Sequence, residues 1–263
     1  MSAVADVDKG KVRQAFAAAS LTYDGVAGLQ RVVGRALLSS IEADSLSGSV
    51  LDLGCGTGFL TREILAFPGD RRVLALDIAL PMLQMARAKL MGSVVGYVCA
   101  DAERLPLKAS SIDNVYSNLA LQWCRHLMAV FTDIRRVLKP GGRLVFTTFG
   151  PQTLQELKAA WADVDQYDHV NEFYSAGELR HFLERAGFTE VRVIGKVYTS
   201  TYSSVMTLMR ELKHIGAHNV TAGRNKRLTT RTQMQAMMNA YEKQGTDAWI
   251  SATYEVITVL ART

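Results

Sequence analysis

The chain has 263 residues, with 30 Lys and Arg against 25 Asp and Glu, a net charge of +5 and a pI of about 9.1. At 48% hydrophobic and 21% charged, with 5 prolines, it can bury a sizeable core, which excludes a mostly disordered or collagen-like chain. No apolar run reaches the ~20 residues of a membrane span, and no apolar signal segment opens the sequence.

A soluble, cytoplasmic protein is therefore expected. The three cysteines, Cys55, Cys99 and Cys124, form no C-x-x-C pair and read as small buried thiols of a reducing compartment. The histidines are scattered without metal-ligand spacing, so no metal is expected. The basic balance suits an anionic partner without selecting one.

Apolar positions recur at helical spacing over residues 9–20 (Val12, Phe16, Ala19) and 28–41 (Leu29, Val32, Val33, Ala36, Leu37). Ser49-Val50-Leu51-Asp52-Leu53 then runs into Gly54-Cys55-Gly56-Thr57-Gly58, the pattern of a buried strand, a glycine turn and a helix opening near Phe59. A second strand over 72–76 stops at Asp77, and Pro81 suits the first turn of a helix with Met82, Met85, Ala86 and Leu90 on one face. Strands are expected over 94–99, leading to Ala100-Asp101, and over 112–118. A helix over 128–138 halts at Lys139-Pro140-Gly141-Gly142, before a strand over 143–149. Leu154, Leu157 and Trp161 line a further helix, and Ser175-x-x-Glu178 opens another as a capping box that closes at Gly187. Val191, Val193 and Val197 alternate in a strand over 189–199. Helices over 203–217 and 231–243 precede a last strand over 251–260.

Strands alternating with helices predict an α/β fold with a parallel sheet. The expected organisation is a single domain over 1–263: a helical lid at 1–42, a cofactor-binding core at 49–199, a helical cap inserted at 203–246 and a final strand within 248–263. The cap is expected over the carboxyl edge of the sheet, where such folds bind ligands.

The glycine turn carries the chemistry. Gly54 permits a sharp exit from the strand, Gly56 a close approach of backbone to ligand, and Gly58 tight helix packing. The helix start offers unpaired N–H groups to an anion. Asp77, at the end of the next strand, is placed to accept from both hydroxyls of a ribose, and Asp101, one strand further out, to take an adenine amino group. A dinucleotide fingerprint would need glycine where Phe59 stands, and a phosphate loop would need G-K-[ST], which is absent. The run from Val50 to Gly58 instead resembles motif I of the class I S-adenosylmethionine-dependent methyltransferases. Asp77, Asp101-Ala102 and the Pro140-Gly141-Gly142 turn match later landmarks of that family in order. The resemblance implies a Rossmann-like sheet, mostly parallel with an antiparallel last strand, and S-adenosylmethionine as cofactor. It implies a cofactor-binding set of Asp52, Gly54, Cys55, Gly56, Asp77, Ile78, Asp101, Ala102 and Asn118, with the turn amides on the methionine carboxylate and Asp52 facing the amino end.

Base N-methyltransferases carry Asn-Pro-Pro-aromatic after strand four, whereas this chain has Ser117-Asn118-Leu119-Ala120. No basic stripe interleaved with aromatics is visible either, so no nucleic acid is expected. Phe16-Ala17-Ala18-Ala19-Ser20-Leu21-Thr22-Tyr23-Asp24, followed by Gln30, is similar to the start of the malonyl-carrier-protein O-methyltransferases of biotin synthesis. Leu119-Ala120-Leu121-Gln122-Trp123-Cys124, residues 149–157, His169-Val170-Asn171-Glu172-Phe173 and residues 212–219 resemble that family as well. Gln152 departs from it, where a small residue is expected. The resemblance implies methyl-ester formation on the free carboxylate of a malonyl thioester borne by acyl carrier protein, by in-line displacement at the sulfonium methyl. A carboxylate is already nucleophilic, so positioning supplies the catalysis and no residue is expected to act as acid, base or nucleophile.

Tyr23, Gln30, Trp123, Arg210, Lys213, His214 and His218 are the candidates to hold that acceptor, Arg210 because a guanidinium can clamp a carboxylate through two parallel hydrogen bonds. Arg224, Lys226, Arg227 and Arg231 form a candidate docking patch for the acidic carrier. The competing readings are methylation of a free small carboxylic acid or of a quinone-type ring carbon, and a non-catalytic cofactor-binding scaffold.

Overall fold

The computed structural model describes residues 7–41, 46–217, 229–243 and 249–263. Its central strand, β1 (Gly48–Leu53), buries Val50, Leu51, Asp52 and Leu53 almost completely, as a parallel strand covered on both faces must. Around it lie β2 (Arg71–Asp77), β3 (Val95–Cys99), β4 (Ile112–Asn118), β5 (Leu138–Phe149), β6 (Thr189–Tyr202) and β7 (Ile250–Arg262). They form one sheet in the order β3-β2-β1-β4-β5-β7-β6. The first five strands are parallel, whereas β7 runs antiparallel to both β5 and β6. From β1 the chain moves outward to β2 and β3, then returns to β4 on the other side. The crevice at that reversal is where open α/β sheets receive ligands, and Gly54, Asp77 and Asn118 all end or follow strands there.

Alternate residues of the strands feed two cores. On one face Leu51, Leu53, Val115, Leu144 and Phe146 pack against α6 (Leu127–Val137) and α8 (Ala176–Arg185) through Phe131, Ile134, Leu179 and Leu183. On the other, Val50, Tyr116 and Val145 meet Leu37 and Leu38 of α3 (Gly28–Ser39), with Leu60 and Ile64 of α4 (Phe59–Ala66). Each such side chain contributes roughly 1.5–3 kcal/mol on full burial. The capping box at Ser175 and Glu178 forms with both of its hydrogen bonds.

Three features depart from the sequence expectations. Leu138 leaves the helix and pairs with Ile112, so β5 begins before the Lys139-Pro140-Gly141-Gly142 segment, which lies within it as an irregularity of register. Gly141 has φ +73°, and a side chain on Gly142 would strike the Lys139 carbonyl at 2.8 Å. Cys55 and Cys124 are buried, but Cys99 is exposed, because β3 is an edge strand with only partial cover. A short helix, α2 (Tyr23–Val26), also stands between α1 (Lys9–Ala19) and α3.

Two helices, α9 (Val205–His214) and α10 (Arg231–Glu242), lie in sequence between β6 and β7. Leu208, Met237 and Tyr241 from them join Leu157 and Trp161 of α7 (Gln155–Ala162) in a separate core. Strand β6 leaves the sheet at Tyr202 and β7 rejoins it at Ile250, and these two residues face each other on one rung. Among the described residues no helix is long and apolar enough to cross a membrane, and no group of His, Cys, Asp and Glu could hold a metal.

Candidate functional site

The glycine turn after β1 divides its labour. Gly54, at φ +74°, is pressed so closely to the Ala120 loop that an added Cβ would lie 2.3 Å from the Ala120 Cβ. Gly58, at φ +85°, caps α4 and would bring its Cβ to 3.0 Å from Ala86 of α5 (Leu80–Lys89). At Gly56, φ +54°, nothing stands within 4 Å of that position. Two of the glycines thus serve packing, and the middle one opens the backbone to a ligand. The amides of Gly54 and Cys55 donate to the Leu76 carbonyl at 2.8 and 3.0 Å, anchoring the turn to β2.

Asp77 locks the turn from the neighbouring strand. Its Oδ2 accepts from the Gly56 amide and its Oδ1 from the Ala79 amide, both at 2.8 Å. Burial raises its pKa although those amides oppose the shift. Asp52 lies deeper. Thr61 Oγ1 donates to its Oδ2 at 2.5 Å, while Oδ1 is sealed from solvent without a partner. Burial pushes Asp52 up to about 7, with the Asp77 charge adding to the effect and Thr61 opposing it. An unpartnered buried carboxylate oxygen is costly, and a cation placed there would relieve that cost.

Helices α1 to α3 close over this floor. Lys9 Nζ donates to Asp101 Oδ1 at 2.7 Å and lies 3.0 Å from Glu103. Phe16 meets the Trp123 ring edge-on at 5.4 Å between centroids. Asp24 accepts from Thr57 at 2.6 Å and from Lys89, and burial is outweighed by those bonds, so its pKa falls. Arg31 donates to the Asp24 carbonyl at 2.7 Å. Asn118 is fixed on both sides, with Nδ2 donating to the Gln30 carbonyl and Oδ1 accepting from Thr147 Oγ1, each at 2.9 Å.

Three adjoining cavities result. The first is lined by Gly54, Gly56, Asp77, Ile78, Asp101, Ala102 and Asn118, beneath Lys9, Val12, Phe16 and Tyr23. The second follows the outer side of the turn past Asp52, Cys55, Thr57, Gln30 and Arg31. Every residue expected to bind the cofactor lines one or both of these. The third lies beneath α9, walled by Leu29, Phe149, Leu154, Leu157, Phe173 and Met209, with Arg210 and Lys213 also at its edge. Tyr23 lines the first two cavities, Gln30 the second and third, and Trp123 the first and third. Burial raises the Tyr23 pKa, with Asp77 and Asp24 adding to it.

The remaining candidates are dispersed. His214 is exposed and does not line the third cavity; its carbonyl accepts from Thr22 Oγ1 at 2.9 Å, tying α9 to the segment before α2. Arg231 is exposed at the start of α10. His218, Arg224, Lys226 and Arg227 lie outside the described residues. Sequence reasoning missed Lys9, Asp24 and Arg31, whose side chains reach the site only through the fold. It also missed His169 and Asn171, which line the third cavity; the one available signal was their shared stretch of family-like sequence.

A family model described as a methyltransferase domain matches residues 51–146. The chain is 41% identical to a malonyl-acyl carrier protein O-methyltransferase of Methylococcus capsulatus, an alignment covering 96% of this chain and 93% of that protein. It is 42% identical to the biotin biosynthesis bifunctional protein BioHC of Cellvibrio japonicus, over 95% of this chain but 49% of that longer protein. The chain thus spans about half the length of the bifunctional relative. A structure of phosphoethanolamine N-methyltransferase 2 from Haemonchus contortus with S-adenosyl-L-methionine superposes with a TM-score of 0.59 at 16% identity, covering 93% of this chain and 56% of that one; this likeness concerns the fold alone.

Proposed function

The chain belongs to the malonyl-acyl carrier protein O-methyltransferase family, and from that premise we propose that it methylates the free carboxylate of a malonyl thioester on acyl carrier protein, in biotin biosynthesis, with S-adenosylmethionine as donor. The observation that carries the reading is a pair of shared walls: the cavity beneath α9 has Trp123 in common with the first cavity along the glycine turn and Gln30 in common with the second. A donor along the turn and an acceptor beneath α9 would thus be neighbours across Gln30 and Trp123.

The residues present fit the donor. Gly56 leaves open space at the turn, Asp52 keeps a buried oxygen without a partner, and Asp77 stands at the end of β2. When bound, S-adenosylmethionine supplies an electrophilic methyl group on a sulfonium centre. Asp52 would hold the ammonium of the methionine portion; the amides of Gly54, Cys55, Gly56 and Gly58, expected to meet its carboxylate, are already engaged with Leu76, Asp77 and Cys55, so the carboxylate would fall to Arg31 on the wall of the second cavity. Asp77 and Ile78 would hold the ribose, and Asp101 and Ala102 the adenine edge, all four lining the first cavity.

On the acceptor side Arg210 and Lys213 draw the malonyl carboxylate into the third cavity. Gln30, Tyr23 and Trp123 aim one oxygen at the methyl group. The carboxylate needs no base, because its lone pair already attacks. The apolar walls, Leu29, Phe149 and Phe173, exclude water from two charges that neutralise each other during transfer. Docking of the carrier is assigned to Arg224, Lys226, Arg227 and Arg231, on the charge complementarity of a basic segment with an acidic partner.

The test supplies S-adenosylmethionine with malonyl carrier protein, malonyl-CoA or free malonate, and reads the gain of one methyl group by mass spectrometry. An esterase-labile methyl on the carrier-bound malonyl group is the expected result. Methylation of free malonate alone would replace this reading with that of a small-acid methyltransferase.

A further inference from the structure

On the side of α1 the first cavity is walled by the apolar Val12 and Phe16, but that wall also carries a charge, Lys9. Lys9 is the first residue of α1, and its side chain is 22% exposed. Its Nζ donates to Asp101 Oδ1 at 2.7 Å and lies 3.0 Å from Glu103 Oε1. Glu103 is itself fixed, since the same oxygen accepts from the backbone amides of Arg125 and His126. Asp101 Oδ1 is filled twice, by Lys9 and by the Glu103 amide at 3.0 Å. Asp101 Oδ2, by contrast, accepts no hydrogen bond among the described residues.

This places a donor and an acceptor side by side. Both oxygens belong to one carboxyl group, so an ammonium bound to the first stands next to the open face of the second. An ammonium offers three protons; Asp101 and Glu103 take two of them, and the third is left over. The ion pair alone holds α1 only weakly, and the spare proton and the open oxygen contribute nothing to that. Lys9 and Asp101 line the first cavity together with Ile78 and Ala102. Adenine presents an amino donor with a ring-nitrogen acceptor beside it, the complement of what Lys9 and Asp101 leave open. A guanine-like base has acceptors at both places, and one of them would then face the Asp101 carboxylate.

We propose that Lys9 is a specificity-determining residue for the donor, its spare N–H donating to a ring nitrogen of adenine while Asp101 Oδ2 accepts from the neighbouring amino group. Glu103 is then a positioning residue, which holds the ammonium against Asp101 with the third proton turned to the cavity. The assignment rests on the placement of adenine at Asp101 and Ala102 given above. It adds to that site a residue from α1, 92 positions away in sequence from the carboxylate it serves. Base recognition therefore depends on α1 being in place, and the core strands supply only the acceptor half of it.

The decisive experiment is calorimetry with S-adenosylhomocysteine, the demethylated donor, and with its 1-deaza and 7-deaza analogues. Each analogue replaces one of the ring nitrogens that flank the amino group by C–H. In the wild type the analogue that loses the Lys9 contact should bind about tenfold more weakly than S-adenosylhomocysteine, the effect of one charge-assisted hydrogen bond. In Lys9→Met that penalty should vanish, and S-adenosylhomocysteine itself should bind about tenfold more weakly. Glu103→Gln should move both quantities in the same direction to a smaller degree, and it decides the matter if Lys9→Met fails to fold. A lysine that only latches α1 would weaken all three ligands equally and leave every penalty intact, which overturns the assignment. So does a wild type that binds both analogues as tightly as S-adenosylhomocysteine. Failure of the wild type to bind S-adenosylhomocysteine at all would overturn the placement of adenine as well, and the wild-type isotherm alone tells the two failures apart.

Discussion

Asp52 and Asp77 show how much a single buried carboxylate can decide. Asp52 is raised to about 7 by burial, so in the folded, cofactor-free protein its protonated form is favoured over an unfolded chain with the ordinary value of 3.8. Stability from this group is complete below about pH 4 and is lost as the pH climbs toward 7. Asp52→Asn should abolish that loss and raise the melting temperature of the cofactor-free protein at pH 8. Cofactor binding should respond in the opposite sense, since an ammonium needs the ionised form. Affinity should rise roughly fivefold between pH 6 and 7, where the α-amino group is still protonated, in the wild type and stay flat in Asp52→Asn, and calorimetry showing the same slope in both would remove Asp52 from the ammonium site. Asp77→Ala should weaken cofactor binding at least about 100-fold, because two charge-assisted hydrogen bonds are lost at ~1.5–3 kcal/mol each; unchanged binding would sink the ribose assignment. Asp77 was legible in the sequence because its role is local, at the end of one strand beside one turn. Arg31 and Lys9 were not, because their neighbours in space, Asp24 with Thr57 and Asp101 with Glu103, acquire meaning only once helices and strands have packed.

At the level of elements, the glycine turn offers a comparison within one motif. Gly54→Ala forces a Cβ into Ala120 and should cost about 1–3 kcal/mol from overpacking, beyond the backbone strain. Gly56→Ala meets nothing in the protein; it should cost only the ~1–2 kcal/mol of left-handed backbone yet reduce cofactor affinity by tenfold or more. Thermal melts paired with binding isotherms separate the two, and equal losses in both measurements would erase the distinction drawn between them. The closing helices are held by partly exposed pairs, Lys9 with Asp101 and Asp24 with Lys89. Such pairs contribute about 0–1 kcal/mol, and the apolar contacts of Val12, Phe16 and Ala19 add to them. Lys9→Met should speed cofactor release severalfold in stopped-flow measurements while leaving the melting temperature nearly unchanged, and an unaltered release rate would show that α1 does not control the exit. The order and type of the elements were readable from hydrophobic period and turn residues. The start of β5 was not, since Leu138 belongs to helix or strand according to whether Ile112 is there to pair with it.

Across the whole molecule, the charge of +5 acquires a use if the carrier docks by attraction. Reversing Arg224, Lys226 and Arg227 to Glu should depress activity on malonyl carrier protein by an order of magnitude and make the remainder less sensitive to salt, while sparing a short malonyl thioester mimic. Equal losses on both substrates would refute docking through that segment. The antiparallel last strand was legible through the family resemblance and stands as expected, whereas no local pattern says that β7 should insert between β5 and β6.

That insertion has a further effect. Since Tyr202 and Ile250 share a rung, everything between them hangs from the sheet by two adjacent threads, much as a long excursion hangs from a hairpin. The helices between them can then be lengthened, replaced or reshaped without shifting the register of a single pair of strands. One scaffold can in this way change what it methylates while conserving the means by which it methylates.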